Sequence, residues 1–134
     1  MLHFNVNWVA ILLATVASMA LGLAWYTLLS RPWLKAIGKT REQVMGSDPK
    51  PFVWAVLVQL VMAYFLALLI PLLTGAMTPA NGALIGAHMW LGFVLTAMIL
   101  NHRYQGAPWV LTLIDGGYVL GVLVVQGIVL GLFG

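Results

Sequence analysis

The sequence contains no cysteine, which excludes a disulfide framework, Cys-ligated metal centres and thiol redox chemistry. Charge is scarce as well. Six Lys+Arg and three Asp+Glu make 7% of the 134 residues charged, against roughly a quarter in an ordinary soluble domain. A water-soluble globule cannot cover itself with so few polar groups. The net charge of +3 does not point to nucleic acid, because the six cations are separated by long apolar runs and form no phosphate-tracking stripe. The signatures HExxH and GxSxG are missing. So is the short-strand alternation of an outer-membrane barrel.

What is there is apolar: 63% of the residues are hydrophobic. They gather into four runs, 8–29, 52–73, 80–100 and 109–133, each of at least about 20 residues, the length a helix needs to cross roughly 30 Å of hydrocarbon. Lipid cannot satisfy an open backbone, so helices are the expected spanning elements. The expected fold is an all-α integral membrane bundle of four transmembrane helices. An inner loop at 30–51, an outer turn at 74–79 and an inner loop at 101–108 connect them. Arg31, Lys35, Lys39, Arg41 and Lys50 lie in the first loop and Arg103 in the third. The positive-inside rule then puts both loops in the cytoplasm and both termini outside. Ser18-Met19-Ala20 resembles a signal-peptidase site, but no cation precedes the run and the run continues to Leu29, so an uncleaved anchor is expected. Trp25, Tyr26, Trp33, Trp54, Tyr104 and Trp109 fall near the expected inner interface, where amphipathic rings settle, and Trp8 and Phe133 mark the outer one.

The first loop carries soluble-type signals. Ser30-Arg31-Pro32 can open a short amphipathic helix that Gly38 ends. Thr40-Arg41-Glu42-Gln43 reads as a capping box opening a second, and Asp48-Pro49-Lys50-Pro51 as the turn before the next span. Lys35 and Lys39 would face anionic inner-leaflet headgroups while Trp33, Leu34 and Ile37 rest on the bilayer.

Small residues repeat along the spans: Ala10, Ala14, Ser18 and Gly22 in the first, Gly82 and Gly86 in the third, and Gly117–Gly121 and Gly127–Gly131 in the fourth. Close backbone approach supplies much of the association energy of helices in lipid. These faces serve either packing within one bundle or docking of another chain, as a homo-oligomer or in a larger membrane complex.

Asp115 is the single formal charge inside a span, where an acidic group at the bilayer centre costs roughly 3 kcal/mol. Gln126 falls within about 20° of it on the helical wheel, some 16 Å further along. Gln59 is the expected partner at similar depth, with Asn101 and His102 further candidates. This set reads either as a polar pathway with a proton-accepting carboxyl or as a network that locks helix register. His88 lies within the third span, where a lone imidazole can hydrogen-bond or ligate a pigment or haem. A bis-His haem would need a second His at its depth, and His3 and His102 lie at opposite ends. No metal site and no cofactor is expected.

Asn7-Trp8, Leu21-Gly22-Leu23-Ala24-Trp25-Tyr26, Trp33-Leu34, Gly38-Lys39-Thr40, Asn101 and Ile114-Asp115-Gly116-Gly117-Tyr118, in that order, resemble the four-helix bacterial membrane family catalogued as domain of unknown function 1761. The most specific part is the Trp-Tyr…Trp segment leaving the first span. Thr27-Leu28 stand where the family usually has Ser-Pro, and Val119 where it often has His. The resemblance implies a multi-pass protein of a bacterial inner membrane and brings no activity with it. Other small four-helix families fit poorly. The first span has no carboxylate for a small multidrug transporter. Nor are there cysteines for a quinone-reducing thiol enzyme, helix Arg/Glu for a glutathione-type transferase, or the glycine signature and charge balance of a fluoride channel. The chain is therefore expected to be a structural or accessory subunit rather than an enzyme, docking through its glycine and small-residue faces. The alternative is an oligomeric ion- or proton-coupled transporter or channel with its pathway past Asp115.

Overall fold

The computed structural model describes residues 4–44 and 48–134, and among these all regular structure is helical. The first span is α1, Trp8–Leu28. The Asn7 side-chain oxygen accepts the N–H groups of Val9 and Ala10, satisfying two donors that an open helix end would leave bare. Its amide nitrogen donates to the Phe133 carbonyl, tying the start of the first span to the end of the last. The chain then bends into α2, Ser30–Ile37, which stops at Gly38 with φ 69°, a left-handed geometry that glycine adopts without strain. Thr40 and Gln43 exchange side-chain bonds with each other's N–H and open α3, Arg41–Val44.

The second span is α4, Lys50–Thr74, ended by Gly75. The third is a single rod, Pro79–Gln105, made of α5 (Pro79–Met89), a π-helical turn (Trp90–Leu95) and α6 (Thr96–Gln105). It runs five residues beyond the apolar stretch that ends at residue 100. Asn101 to Gln105 are polar but not helix-breaking, and the stop comes at Gly106 with φ 70°. The fourth span is α7, Trp109–Phe133. These four helices of 21, 25, 27 and 25 residues are each long enough to cross a bilayer, at about 1.5 Å of rise per residue. Their outward surfaces carry large apolar side chains, among them Val16, Leu23, Phe65, Leu72, Phe93 and Leu113.

In the bundle α7 runs between α1 and α5 and also touches α4. The tightest approach is between α5 and α7. A β-carbon on Gly82 would overlap the Gly127 carbonyl, one on Gly127 would overlap the Gly82 carbonyl, and Gly86 lies against the Leu123 backbone. Gly131 meets the backbone of Thr78 and Pro79. Against α1, Gly117 receives the Trp25 ring, Gly121 receives Leu21, and Gly22 receives the Tyr118 ring. Ala10 and Ala14 are fully buried and form the core with Ile11, Ala63, Leu66 and Ile70.

The named glycines are therefore filled by the chain's own helices, because two α-helices reach dispersion contact over a long stretch only where side chains are absent. Gly92, in the π-helical turn, has open space around it instead. Gly127→Ala forces backbone apart, and we expect a loss of at least about 2 kcal/mol, read as a lower unfolding temperature in mild detergent. Gly92→Ala should unfold at or above the wild-type temperature. Equal behaviour of the two variants would contradict this packing.

Candidate functional site

The site is built where α1 leaves the bundle beside the early turns of α7. The Tyr26 hydroxyl donates to Asp115 Oδ1 at 2.6 Å. The carbonyls on either side of Asp115 are also taken. The Trp25 indole N–H donates to the Ile114 carbonyl at 3.0 Å, and the Trp90 indole N–H, from the third span, to the Gly116 carbonyl at 2.8 Å. Gly117 makes this possible, since a β-carbon there would lie 2.9 Å from the Trp25 ring. Around the phenol, the Tyr118 and Trp33 rings pack edge-on at 5.0 and 5.1 Å. Trp33 arrives on α2, so the bend after α1 is part of the site.

A second polar group continues toward the other end of the bundle. Gln59 Nε2 donates to the Tyr118 hydroxyl at 2.6 Å, and Ser18 Oγ lies 2.6 Å from Gln59 Oε1 as its donor. Gln126 Nε2 donates to Ser18 Oγ at 3.0 Å and to the Gln59 backbone carbonyl at 2.9 Å. Ser18 and Gln126 are fully buried and Gln59 is 3% exposed. From Asp115 to Gln126 the set rises about 16 Å along α7. It cross-links α1, α4 and α7. Two of its members, Gln59 and Gln126, are amides, which offer fixed donors and acceptors rather than exchangeable acid protons. The Gln126 carbonyl oxygen is buried without a partner among the described residues.

Of the residues singled out in the sequence, Gln59 and Gln126 therefore come together, through Ser18. Gln59 is bonded to Tyr118 rather than to Asp115, one turn away on the same helix, and Tyr26 takes the carboxyl. Asn101 is exposed and joins neither group. His102 Nδ1 lies 2.7 Å from Thr112 Oγ1, to which Arg103 Nη2 also donates at 2.9 Å, while the guanidinium covers the Trp109 ring at 3.6 Å. The π-helical turn accounts for this: its wider turn puts α6 out of phase with a straight continuation of α5.

His88 is exposed on the outer surface of the third span. Its Nδ1 faces the Leu84 carbonyl at 2.8 Å. A carbonyl only accepts, so Nδ1 carries a hydrogen, and in the neutral imidazole the lone pair is then on Nε2. His3 lies outside the described residues.

Tyr26, Trp25, Trp90 and Tyr118 are the site residues that side-chain charge and polarity in the sequence did not single out. Tyr26 stands two residues before the end of α1 and Asp115 six residues into α7, about 3 Å and 9 Å from their helix ends, so depth does not pair the phenol with the carboxyl. A family model described as a protein of unknown function (DUF1761) matches residues 9–131, and the chain belongs to that family. No curated protein and no solved structure matches it.

Tyr26→Phe and Asp115→Asn should both fold, and a double-mutant cycle on unfolding should return a coupling of about 0.6–1.7 kcal/mol, the range of hydrogen bonds between helices in lipid. Strictly additive losses would mean that the two side chains do not act on each other.

Proposed function

We propose that this member of the DUF1761 family is a structural subunit that docks on other membrane chains through the outward face of its third span. One observation carries the reading. Ser18, Gln59 and Gln126 in the middle of α1, α4 and α7 are spent on each other, whereas His88 and Thr96 of the third span face out. His88, Gly92 and Thr96 are all exposed. Thr96 returns its hydroxyl to the Gly92 carbonyl, but His88 Nε2 presents an acceptor to hydrocarbon, which cannot pair it. A neighbouring chain with a donor at that depth satisfies it, and the open space at Gly92 admits close approach. Of the four spans the third is also the least covered by its own bundle. Docking thus moves from the glycine and small-residue faces, Gly82 and Gly86 of this same span included, which are occupied internally, to this outward face.

The charge pattern supports a cytoplasmic-membrane protein with the basic loops inside and both termini outside. The reading assigns no catalytic step to the chain. A second reading, a proton-coupled transporter acting as an oligomer, is favoured by the Tyr26–Asp115 pair, because Tyr26 lines an open groove.

Gentle-detergent purification with mass analysis of co-purifying chains separates the two. A partner or second copy at fixed stoichiometry is expected, its yield lowered about threefold to tenfold by His88→Leu, the loss of one interhelical hydrogen bond. Asp115→Asn should leave that yield unchanged. Proton-coupled flux in proteoliposomes that disappears with Asp115→Asn would overturn the structural reading.

A further inference from the structure

The bend between α1 and α2 creates a groove that the third-span face does not use and that the helix lock borders through Gly22 and Tyr26. Trp33 packs against Tyr26 and holds α2 across the end of α1, and Phe52 joins from the first turn of α4. Between them lies a groove of about 490 Å³. Leu23, Leu34, Val44 and Phe52 give it apolar walls, and Tyr26 and Arg41 also line it, the first half-buried and the second exposed. Its lining runs from Gly22 to Thr27 on α1, five residues or about 8 Å of helix, and continues past the bend onto Ser30, Trp33 and Leu34 of α2. An apolar slot of that length with a cation in its lining has the shape of an amphiphile with an anionic head. The surrounding charge agrees. The loop holds five cations, Arg31, Lys35, Lys39, Arg41 and Lys50, against Glu42 and Asp48, a surplus of three.

We infer that this groove binds one anionic phospholipid from the adjoining leaflet, an acyl chain lying between Leu23, Leu34 and Phe52 and the phosphate on Arg41. The groove is a site with apolar walls and a cation, distinct from a general attraction of the basic loop for the membrane surface. Arg41 is suited to the headgroup because its guanidinium meets phosphate oxygens through two parallel donors. The chain end reaches Tyr26, whose hydroxyl is already engaged by Asp115, so the ring rather than the hydroxyl is what the lipid touches. The inference stands independently of the subunit role.

The test uses the full chain in phosphatidylcholine vesicles doped with spin-labelled phosphatidylglycerol or spin-labelled phosphatidylcholine, comparing the motionally restricted fraction of each label. Phosphatidylglycerol should be selected, and Arg41→Gln should lower that selectivity about fivefold, the effect of one basic residue at an anionic surface. Thr27→Phe, at an exposed position of the groove wall, should reduce the restricted fraction with Arg41 intact. The double variant Lys35→Gln/Lys39→Gln should keep most of the selectivity. Equal restriction of the two labels by the wild type would overturn the inference. So would undiminished selectivity in Arg41→Gln, or a loss in the lysine double variant as large as in Arg41→Gln, which marks a diffuse field instead of a site.

Discussion

The near-contact of α5 and α7 at Gly82 and Gly127 sets the rotation of α7, and the rest of the bundle depends on that rotation. In lipid there is no hydrophobic force to drive helices together, so the pair gains from dispersion over a backbone-to-backbone seam. With Gly127 held against α5, the preceding residue lies about 100° round the helix. That turns Gln126 toward α1 and α4, where Ser18 and the Gln59 backbone receive it. Leu123 and Leu130, one turn to either side of Gly127, enter the core. A glycine seam thus decides which polar groups meet.

The polar contacts follow from the same placement and make it specific. A seam of glycines alone tolerates sliding, since one turn of either helix resembles the next. Hydrogen bonds do not slide. Gln126 on Ser18, Gln59 on Tyr118 and Tyr26 on Asp115 each tie a residue of one helix to a residue of another. In hydrocarbon the alternative to each bond is an unpaired polar group. The small-residue ridge of α1 serves both ends. Ala10 and Ala14 let the helices close, Ser18 adds a hydroxyl at the same spacing, and Gly22 admits the Tyr118 ring that carries the network on. The two tryptophans extend the same logic to the backbone, fixing α7 at Ile114 and Gly116 from opposite sides.

Much of this was legible in the residues. The four apolar runs mark the four long helices, because length and hydropathy alone decide what can span. Gly38 marks the end of α2 and Thr40 with Gln43 the start of α3, because capping is a local matter of a few atoms. The glycine periodicity announced close approach, but not between which helices, since period says nothing about partners. Gln59 was placed opposite Asp115 on depth and polarity alone. The structure gives the carboxyl to Tyr26, a residue that also reads as an ordinary member of an aromatic belt. The π-helical turn at Trp90–Leu95 has no marker in the pattern, and without it the directions of Asn101 and His102 cannot be derived.

The third span shows how the same physics leaves a surface unfinished. Its first half, α5, is welded to α7 by glycine. No residue of the π-helical turn or of α6 is buried, and this half is held to α7 through Trp90 on Gly116 and His102 on Thr112. A π turn lets a rod change phase without breaking, so α5 can keep the glycine register while α6 presents different residues outward. The other three helices lock each other by amides, hydroxyls and a carboxyl, whereas the second half of the third span is held to α7 at a few points. His88 lies just before the change of phase and is exposed, so the docking proposed for this face would fall at the junction between the fixed half of the rod and the uncovered half.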